Sequence, residues 1–339
     1  MRAIGCMAHA PGASADALVA LELPRPEPGP GDLRVRVRAV GMNPLDTRLR
    51  GAAKAAPDKP RILGWDAAGV VDAIGPGVQG FALGDRVLYA GSVLRPGCNS
   101  EWQCVDARLV GKMPEDLSFA EAAALPVAGL TAWEMLFDRF GLVPGAGAGQ
   151  CLLVLGGAGG VASMAIALAR HDTRLQVVAT ASRPESQAWV RAMGAHAVLS
   201  HAQDLVPQCQ ALGLPPFDYA FSMATRPAVW QALTEWATPQ GKIGFIDEPG
   251  ALDLNRLRGK SLSVHAEGLF TRGLHQTPDM ARQGAILTEL AQRRAQNRLP
   301  SSVGAHLGPL SVATLREAHR LQESRQVCGK IVLGGWPDA

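Results

Sequence analysis

Apolar and charged positions alternate strictly along Leu33-Arg34-Val35-Arg36-Val37-Arg38-Ala39. That is the period of a strand with one buried face, its arginines turned to solvent or to another layer. Glycine and proline clusters at 24–31 and 75–77 set this run apart from its neighbours, and Gly84-Asp85 leads into a further strand at Arg86-Val87-Leu88-Tyr89. The first third of the chain therefore reads as β-rich. The character changes at Ser118, where Ser118-Phe119-Ala120-Glu121 has the form of a capping box opening an alanine-rich helix. Strands then alternate with helices. Cys151-Leu152-Leu153-Val154-Leu155 predicts a buried strand, followed by a glycine turn and a helix over 161–170. A second strand is expected over 176–180 and a second helix over 184–193, stopped by Gly194. Short apolar strands follow at 197–199, 217–221, 242–246 and 261–264. Apolar strands alternating with helices imply a parallel sheet covered on both faces, and six of them fit a doubly wound dinucleotide fold. Thr277-Pro278-Asp279 predicts the start of a long helix, with Thr277 as N-cap and Pro278 in the first position. The tail, 302–307, 311–322 and 330–333, reads as strand, helix, strand.

Composition narrows the function classes. The 339 residues carry 33 Lys plus Arg against 30 Asp plus Glu, a net charge of +3, with 47% hydrophobic residues. Such a chain buries a core, and its weak field argues against a nucleic-acid partner. Its length suits two domains. Cys6, Cys98, Cys104, Cys151, Cys209 and Cys328 form no C-x-x-C pair, which excludes a disulfide framework or zinc ribbon and suits a reducing cytoplasm. Ala3-Ile4-Gly5-Cys6 has the residues of a lipoprotein cleavage site, but too few residues precede the cysteine and the apolar run breaks at His9 and Pro11. A first strand is expected there. The uncharged stretch 141–169 holds Pro144 and repeated glycines, so it is not a membrane span and no membrane partner is expected.

The glycine turn carries the first chemistry. Gly157-Ala158-Gly159-Gly160-Val161-Ala162 follows a strand and opens a helix, matching G-x-G-x-x-G/A. In this motif the first glycine makes the tight turn and the second lets the backbone approach a pyrophosphate. The helix N-terminus then offers N–H groups and positive dipole to the phosphates. An acid about 20 residues on would hold the ribose 2′-OH of NADH, but the corresponding stretch, Ala179-Thr180-Ala181-Ser182-Arg183, has none. Ser182 and Arg183 suit a 2′-phosphate, and the cofactor expected is NADPH. The same residues, Ser182-Arg183-Pro184-Glu185, also read as a capping box, and the two readings are compatible.

A dinucleotide fold placed after a β-rich third, with a returning tail, resembles the medium-chain dehydrogenase/reductase superfamily. The carriers are Val40-Gly41-Met42-Asn43-Pro44-Leu45-Asp46, Leu63-Gly64-Trp65-Asp66-Ala67-Ala68-Gly69, Gly84-Asp85-Arg86-Val87, Ala124-Leu125-Pro126-Val127-Ala128-Gly129-Leu130-Thr131-Ala132-Trp133 and Gly329-Lys330-Ile331-Val332-Leu333. Within the superfamily the chain is most similar to the quinone oxidoreductase branch, in the zinc-type alcohol dehydrogenase-like subgroup. The resemblance implies an α/β architecture: a GroES-like β-rich catalytic domain over 1–121, a doubly wound Rossmann NADP-binding domain over 122–298, and a return to the catalytic domain over 299–339. It also implies zinc ligands that the chain lacks. Asn43 stands where zinc-dependent relatives have Cys and Trp65 where they have His, while no Cys or His falls near 125–129. The structural zinc lobe retains only Cys98 and Cys104. The expectation is a protein without metal.

Without a Lewis acid, alcohol oxidation lacks a group to stabilise the alkoxide, whereas reducing a quinone or enone needs hydride positioning and a hydrogen-bond donor. The function expected is NADPH-dependent hydride transfer to such an acceptor. By resemblance Asn43, Asp46 and Arg50 line the site mouth and Thr131 faces the nicotinamide. Each has a plainer reading: Asn43 as N-cap, Asp46 as a helix-dipole acid, Arg50 as a solvated helix end. Tyr89 is either a proton donor or packing. Arg48 stands where bacterial quinone reductases often carry tyrosine, and the proton is expected from solvent. His265 reads as packing in an edge strand through which relatives pair, so a homodimer is expected. Two rivals remain, a crystallin-like NADPH-binding protein without catalysis and a zinc alcohol dehydrogenase with atypical ligands.

Overall fold

The computed structural model describes residues 1–6, 14–51 and 60–337. His9 and Pro11 lie outside them. The chain forms two compact units, Met1–Leu130 with Phe270–Asn297 and Ser301–Ala339, and Thr131–Leu269 with Arg298–Pro300.

The first unit is built on β-sheets. Arg2–Cys6 is a strand, as its apolar run suggests, and lies between Leu18–Glu22 and Arg61–Ile62. The larger sheet runs in the order Val303–Pro309, Lys330–Gly334, Asp32–Gly41, Ala67–Ile74, Arg86–Tyr89, Val110–Lys112, with Trp102–Asp106 also paired to Asp32–Gly41. The alternating run is the sheet's long central strand. Leu33, Val35 and Val37 enter the core beside Ile4, Leu63, Trp65 and Leu333. Its arginines are not uniformly solvated. Arg34 is 8% exposed because Asp72 takes its Nε at 2.7 Å and Glu27 its Nη1 at 3.0 Å. The tail returns as expected, with Lys330–Gly334 antiparallel to Asp32–Gly41 and parallel to Val303–Pro309.

Residues 270–297 pack with this unit, whereas the sequence bounds put them with the nucleotide fold. Two glycines explain it. A Cβ on Gly111 would lie 2.5 Å from Leu287 Cβ, and one on Gly284 would lie 2.6 Å from the Val110 carbonyl, so the helix Arg282–Ala295 lies directly on the strand Val110–Lys112. That helix begins later than Thr277-Pro278-Asp279 predicts. Asp279 is held by Arg272 Nε at 3.0 Å and Thr277 Oγ1 at 2.7 Å, in a series of tight turns before Arg282. The capping box at Ser118 is half formed. Ser118 Oγ accepts from Glu121 N at 3.2 Å, but the Glu121 carboxylate is taken by Arg294 and Ser301.

The second unit is a six-stranded parallel sheet in the order Ala197–Leu199, Gln176–Thr180, Cys151–Leu155, Phe217–Ser222, Ala237–Phe245, Ser263–Ala266. The apolar runs predict every one of these strands, although the fifth begins five residues earlier than expected. Every residue of the central strand Cys151–Leu155 is buried, as a strand covered on both faces requires. The order reverses between Cys151–Leu155 and Phe217–Ser222, and ligands of doubly wound sheets bind at the carboxyl ends of strands beside such a reversal. No helix among the described residues is long and apolar enough to cross a membrane.

Candidate active site

In the first unit a buried polar cluster gathers at the sheet, with Asn43 4% exposed. Its parts come from the loop entering the helix Pro44–Gly51, the loop before the strand Ala67–Ile74, the start of the helix Pro126–Trp133 and the returning strand Lys330–Gly334. Lys330 is 3% exposed, and its ammonium donates to Asp66 Oδ2 at 2.6 Å, Asn43 Oδ1 at 2.7 Å and the Met42 carbonyl. Asn43 Nδ2 donates to the same Asp66 Oδ2 at 2.8 Å, and the Val127 N–H to Asp66 Oδ1 at 2.6 Å. Burial pushes the Asp66 carboxyl up, while Lys330, the Val127 N–H and the Asn43 amide act against it. The motifs that contain Lys330 and Asp66 assign neither residue a role in the sequence. A lysine at the head of an apolar strand was the available signal, because such a strand buries whatever it carries.

Asn43 does not cap its helix with its side chain, which is committed to Asp66 and Lys330. The cap comes from Asp46, whose Oδ2 accepts from the Asn43 N–H at 2.8 Å. Asp46 is fully buried, and its Oδ1 has no hydrogen-bond partner. Burial pushes this carboxyl up to about 7, against the pull of the Asn43 N–H and Lys330.

Two residues expected at the site stand elsewhere. Arg50 is not at a mouth. Its guanidinium is buried, donates to His319 Nδ1 at 2.8 Å and pairs with Glu323, so it ties its helix to the C-terminal helix Val312–Ser324. Burial and the Arg50 charge push His319 down to about 3, and the neutral ring accepts. Tyr89 is 1% exposed in the apolar core, and burial raises its phenol well above the usual range. Its hydroxyl has no partner. That is packing, not a poised donor.

In the second unit the glycine turn joins Cys151–Leu155 to the helix Gly160–Asp172. The left-handed residue is Gly156 (φ 74°), not Gly157 as the motif register suggested. Gly157 instead sits where a Cβ would meet Val190 Cγ1 at 2.9 Å and Ala179 Cβ at 3.1 Å, and its N–H donates to Thr180 O at 2.9 Å. Gly159 is the N-cap and supplies no side chain to the first turn. A Cβ there would meet nothing nearer than 3.7 Å, which leaves room over the helix N-terminus and its Gly160 and Val161 positions. Ala158 is half-buried in the turn. This geometry fits a pyrophosphate.

At the end of Gln176–Thr180, Ser182 contacts His201 Nε2 at 3.1 Å and Arg183 is the half-buried N-cap of Pro184–Ala192. The expected Ser182–Glu185 box is shifted by one: Ser186 Oγ accepts from Arg183 N at 3.1 Å. Thr131 is buried in Pro126–Trp133. Further polar groups, absent from the sequence reading, lie past the ends of Phe217–Ser222 and Ala237–Phe245. Asp247 Oδ2 accepts from Thr225 N at 2.5 Å, while Asp247 Oδ1, Thr225 Oγ1 and Ser222 Oγ are buried without partners. A Cβ on Gly156 would lie 3.4 Å from Met223 Cβ, so these groups adjoin the glycine turn. Their signal was Ser222 and Asp247 at strand ends, where a parallel sheet collects its ligand.

Family models match in two places, an alcohol dehydrogenase GroES-like domain at 29–133 and a zinc-binding dehydrogenase at 160–283. A zinc-type alcohol dehydrogenase-like protein of Staphylococcus aureus is 36% identical over 87% of this chain and 88% of its own length. The chain belongs to the medium-chain dehydrogenase/reductase superfamily. Among solved structures of this superfamily, a Rhizobium etli protein assigned to the zinc-dependent alcohol dehydrogenases is 42% identical, with TM-score 0.93 over 100% of this chain and 99% of its own. A mycobacterial protein solved with NADPH is 25% identical, with TM-score 0.82 over 98% and 100%. A 2-methylene-furan-3-one reductase of Solanum lycopersicum is 36% identical over 49% of this chain and 44% of its own length. This dehydrogenase/reductase is an oxidoreductase, and its glycine turn suits a nicotinamide dinucleotide.

The zinc in three of those names does not fit the residues present. The oxygens of Asn43, Asp66 and Met42 are already bonded to the Lys330 ammonium, and the Trp65 indole donates to Ser92 O at 3.3 Å. Among the described residues no group of three or more His, Cys, Asp or Glu is placed to hold a metal.

Proposed function

We propose that this oxidoreductase transfers a hydride from NADPH to a quinone or an α,β-unsaturated carbonyl, without zinc. The observation that carries the reading is the Lys330 ammonium on the oxygens of Asn43 and Asp66, which engages with a fixed side-chain charge two oxygens that a metal would otherwise need as ligands. The enone reductase and NADPH-bound relatives support it. The nicotinamide supplies the hydride. The second unit binds the dinucleotide through Gly157, Ala158, Gly159, Gly160 and Val161, with Ser182 and Arg183 toward a 2′-phosphate and Thr131 toward the nicotinamide. Asn43 donates a hydrogen bond to the acceptor oxygen as negative charge develops there, and the proton follows from solvent. Asp46 holds the Asn43 backbone. We further propose a homodimer paired through the edge strand Ser263–Ala266, in a reducing cytoplasm.

The test measures zinc in purified protein together with NADPH oxidation over a panel of quinones and enones. We expect well under 0.1 zinc per chain and turnover unchanged by EDTA. Stoichiometric zinc overturns the reading, and tight NADPH binding without turnover on any acceptor replaces it with a non-catalytic one. Arg183→Ala should raise KM for NADPH about 10–100-fold, the worth of one charge-assisted contact of about 1.5–3 kcal/mol. KM for NADH should stay within about twofold. Equal losses with both cofactors would remove the 2′-phosphate assignment.

A further inference from the structure

Asn43 is held by two partners of opposite hydrogen-bonding character. The Lys330 ammonium has only donors, so the amide atom 2.7 Å from it is the oxygen. The Asp66 carboxylate has only acceptors, so the atom 2.8 Å from it is the nitrogen. With Oδ1 and one Nδ2 proton committed, the other Nδ2 proton is what the amide has left to give. A freely rotating amide would present oxygen or nitrogen with little preference. This one presents a donor.

We infer that Lys330 is a positioning residue, which together with Asp66 fixes the Asn43 amide as a hydrogen-bond donor toward the acceptor. The inference rests on the reading that Asn43 meets the acceptor oxygen. Hydride arrival puts negative charge on that oxygen, where an amide N–H stabilises and an amide oxygen repels. The ammonium itself stays engaged with Asp66, Asn43 and the Met42 carbonyl and takes no part in proton transfer. Asp46 completes the arrangement from the backbone side, through the Asn43 N–H at 2.8 Å.

A double-mutant cycle on the full chain tests it, with NADPH and 1,4-naphthoquinone. Asn43→Ala and Lys330→Met should each lower kcat about 10–100-fold with KM for NADPH within about twofold, as expected for loss of one oxyanion donor or of its alignment. In the Asn43→Ala background, Lys330→Met should then change kcat less than about twofold. Asn43→Asp, which keeps the contact to Lys330 but loses the donor, should be as slow as Asn43→Ala. If Lys330→Met costs the same factor in both backgrounds, the lysine does not act through Asn43 and the inference fails. If Asn43→Ala leaves kcat unchanged, it is the proposed role of Asn43 that fails. Asp66→Leu/Lys330→Met removes both charges together and serves where the single variant does not fold. A readout independent of turnover is the Asn43 side-chain amide in 15N NMR, assigned by its absence in Asn43→Ala. Its two protons should be widely separated and slow to exchange with solvent in the wild type, and should move toward the shifts and fast solvent exchange of a free amide in the variants lacking Lys330. Unchanged amide signals in those variants overturn the positioning role even if no tested acceptor is reduced.

Discussion

Lys330→Met should cost about 3–5 kcal/mol of folding stability, the usual cost of stranding one member of a buried ion pair. Asp66 is fully buried, and without the ammonium its carboxylate keeps only the Val127 N–H and the Asn43 amide. The double variant Asp66→Leu/Lys330→Met should recover most of that loss, because removing both charges also removes their desolvation cost. Urea unfolding of the wild type, both single variants and the double variant gives the coupling directly. A double variant as unstable as the sum of the singles would mean that the pair is held by its surroundings and not by its mutual attraction. The stability test is separate from the kinetic one, since a pair can be dispensable for folding and still direct an amide.

The second large effect is in the pH dependence of stability. Asp46 is raised from 3.8 to about 7 by burial, so the folded protein holds a proton that the unfolded chain releases. The sign follows from linkage: the folded state binds more protons between about pH 4 and pH 7, so stability falls as pH rises through that window and levels off above it. A shift of this size corresponds to roughly 4 kcal/mol between the two plateaus. In Asp46→Asn that slope should be absent, while the amide oxygen still accepts the Asn43 N–H. Denaturation midpoints of wild type and variant at pH 4.5 and pH 8 decide the matter. A wild-type-minus-variant difference that does not vary with pH would show that Asp46 is ionised throughout.

Much of the fold was legible because its signals are local. The arginine alternation of Asp32–Gly41, the apolar run Cys151–Leu155 and the glycines that follow it each report their own backbone. The cofactor edge was legible for the same reason, though one residue out of register: the left-handed turn falls on Gly156, and Ser186 performs the capping expected of its neighbours. The polar cluster was half legible. Asn43 and Asp46 stand out beside Pro44, but their partner lies 287 residues from Asn43, and no local pattern announces a contact at that separation. Arg50 was misplaced for the converse reason. Its helix end reads as solvated until His319 and Glu323 arrive from more than 260 residues away. Tyr89 shows the limit of naming a residue by chemical type alone, since a phenol at a strand end reads as a donor or a filler until its burial is known.

The separation of Lys330 from Asp66, 264 residues, has a consequence for biosynthesis. As the chain leaves the ribosome, the N-terminal strands emerge with a carboxylate destined for the interior and nothing to neutralise it. The whole second unit follows, built from neighbouring strands and helices, before the strand bearing the lysine appears. Until then the first unit is better kept open than closed over an uncompensated charge. Chains stalled or clipped upstream of residue 330 would thus carry a folded nucleotide unit beside an unfinished β-rich one, an uneven product that cellular proteolysis can recognise.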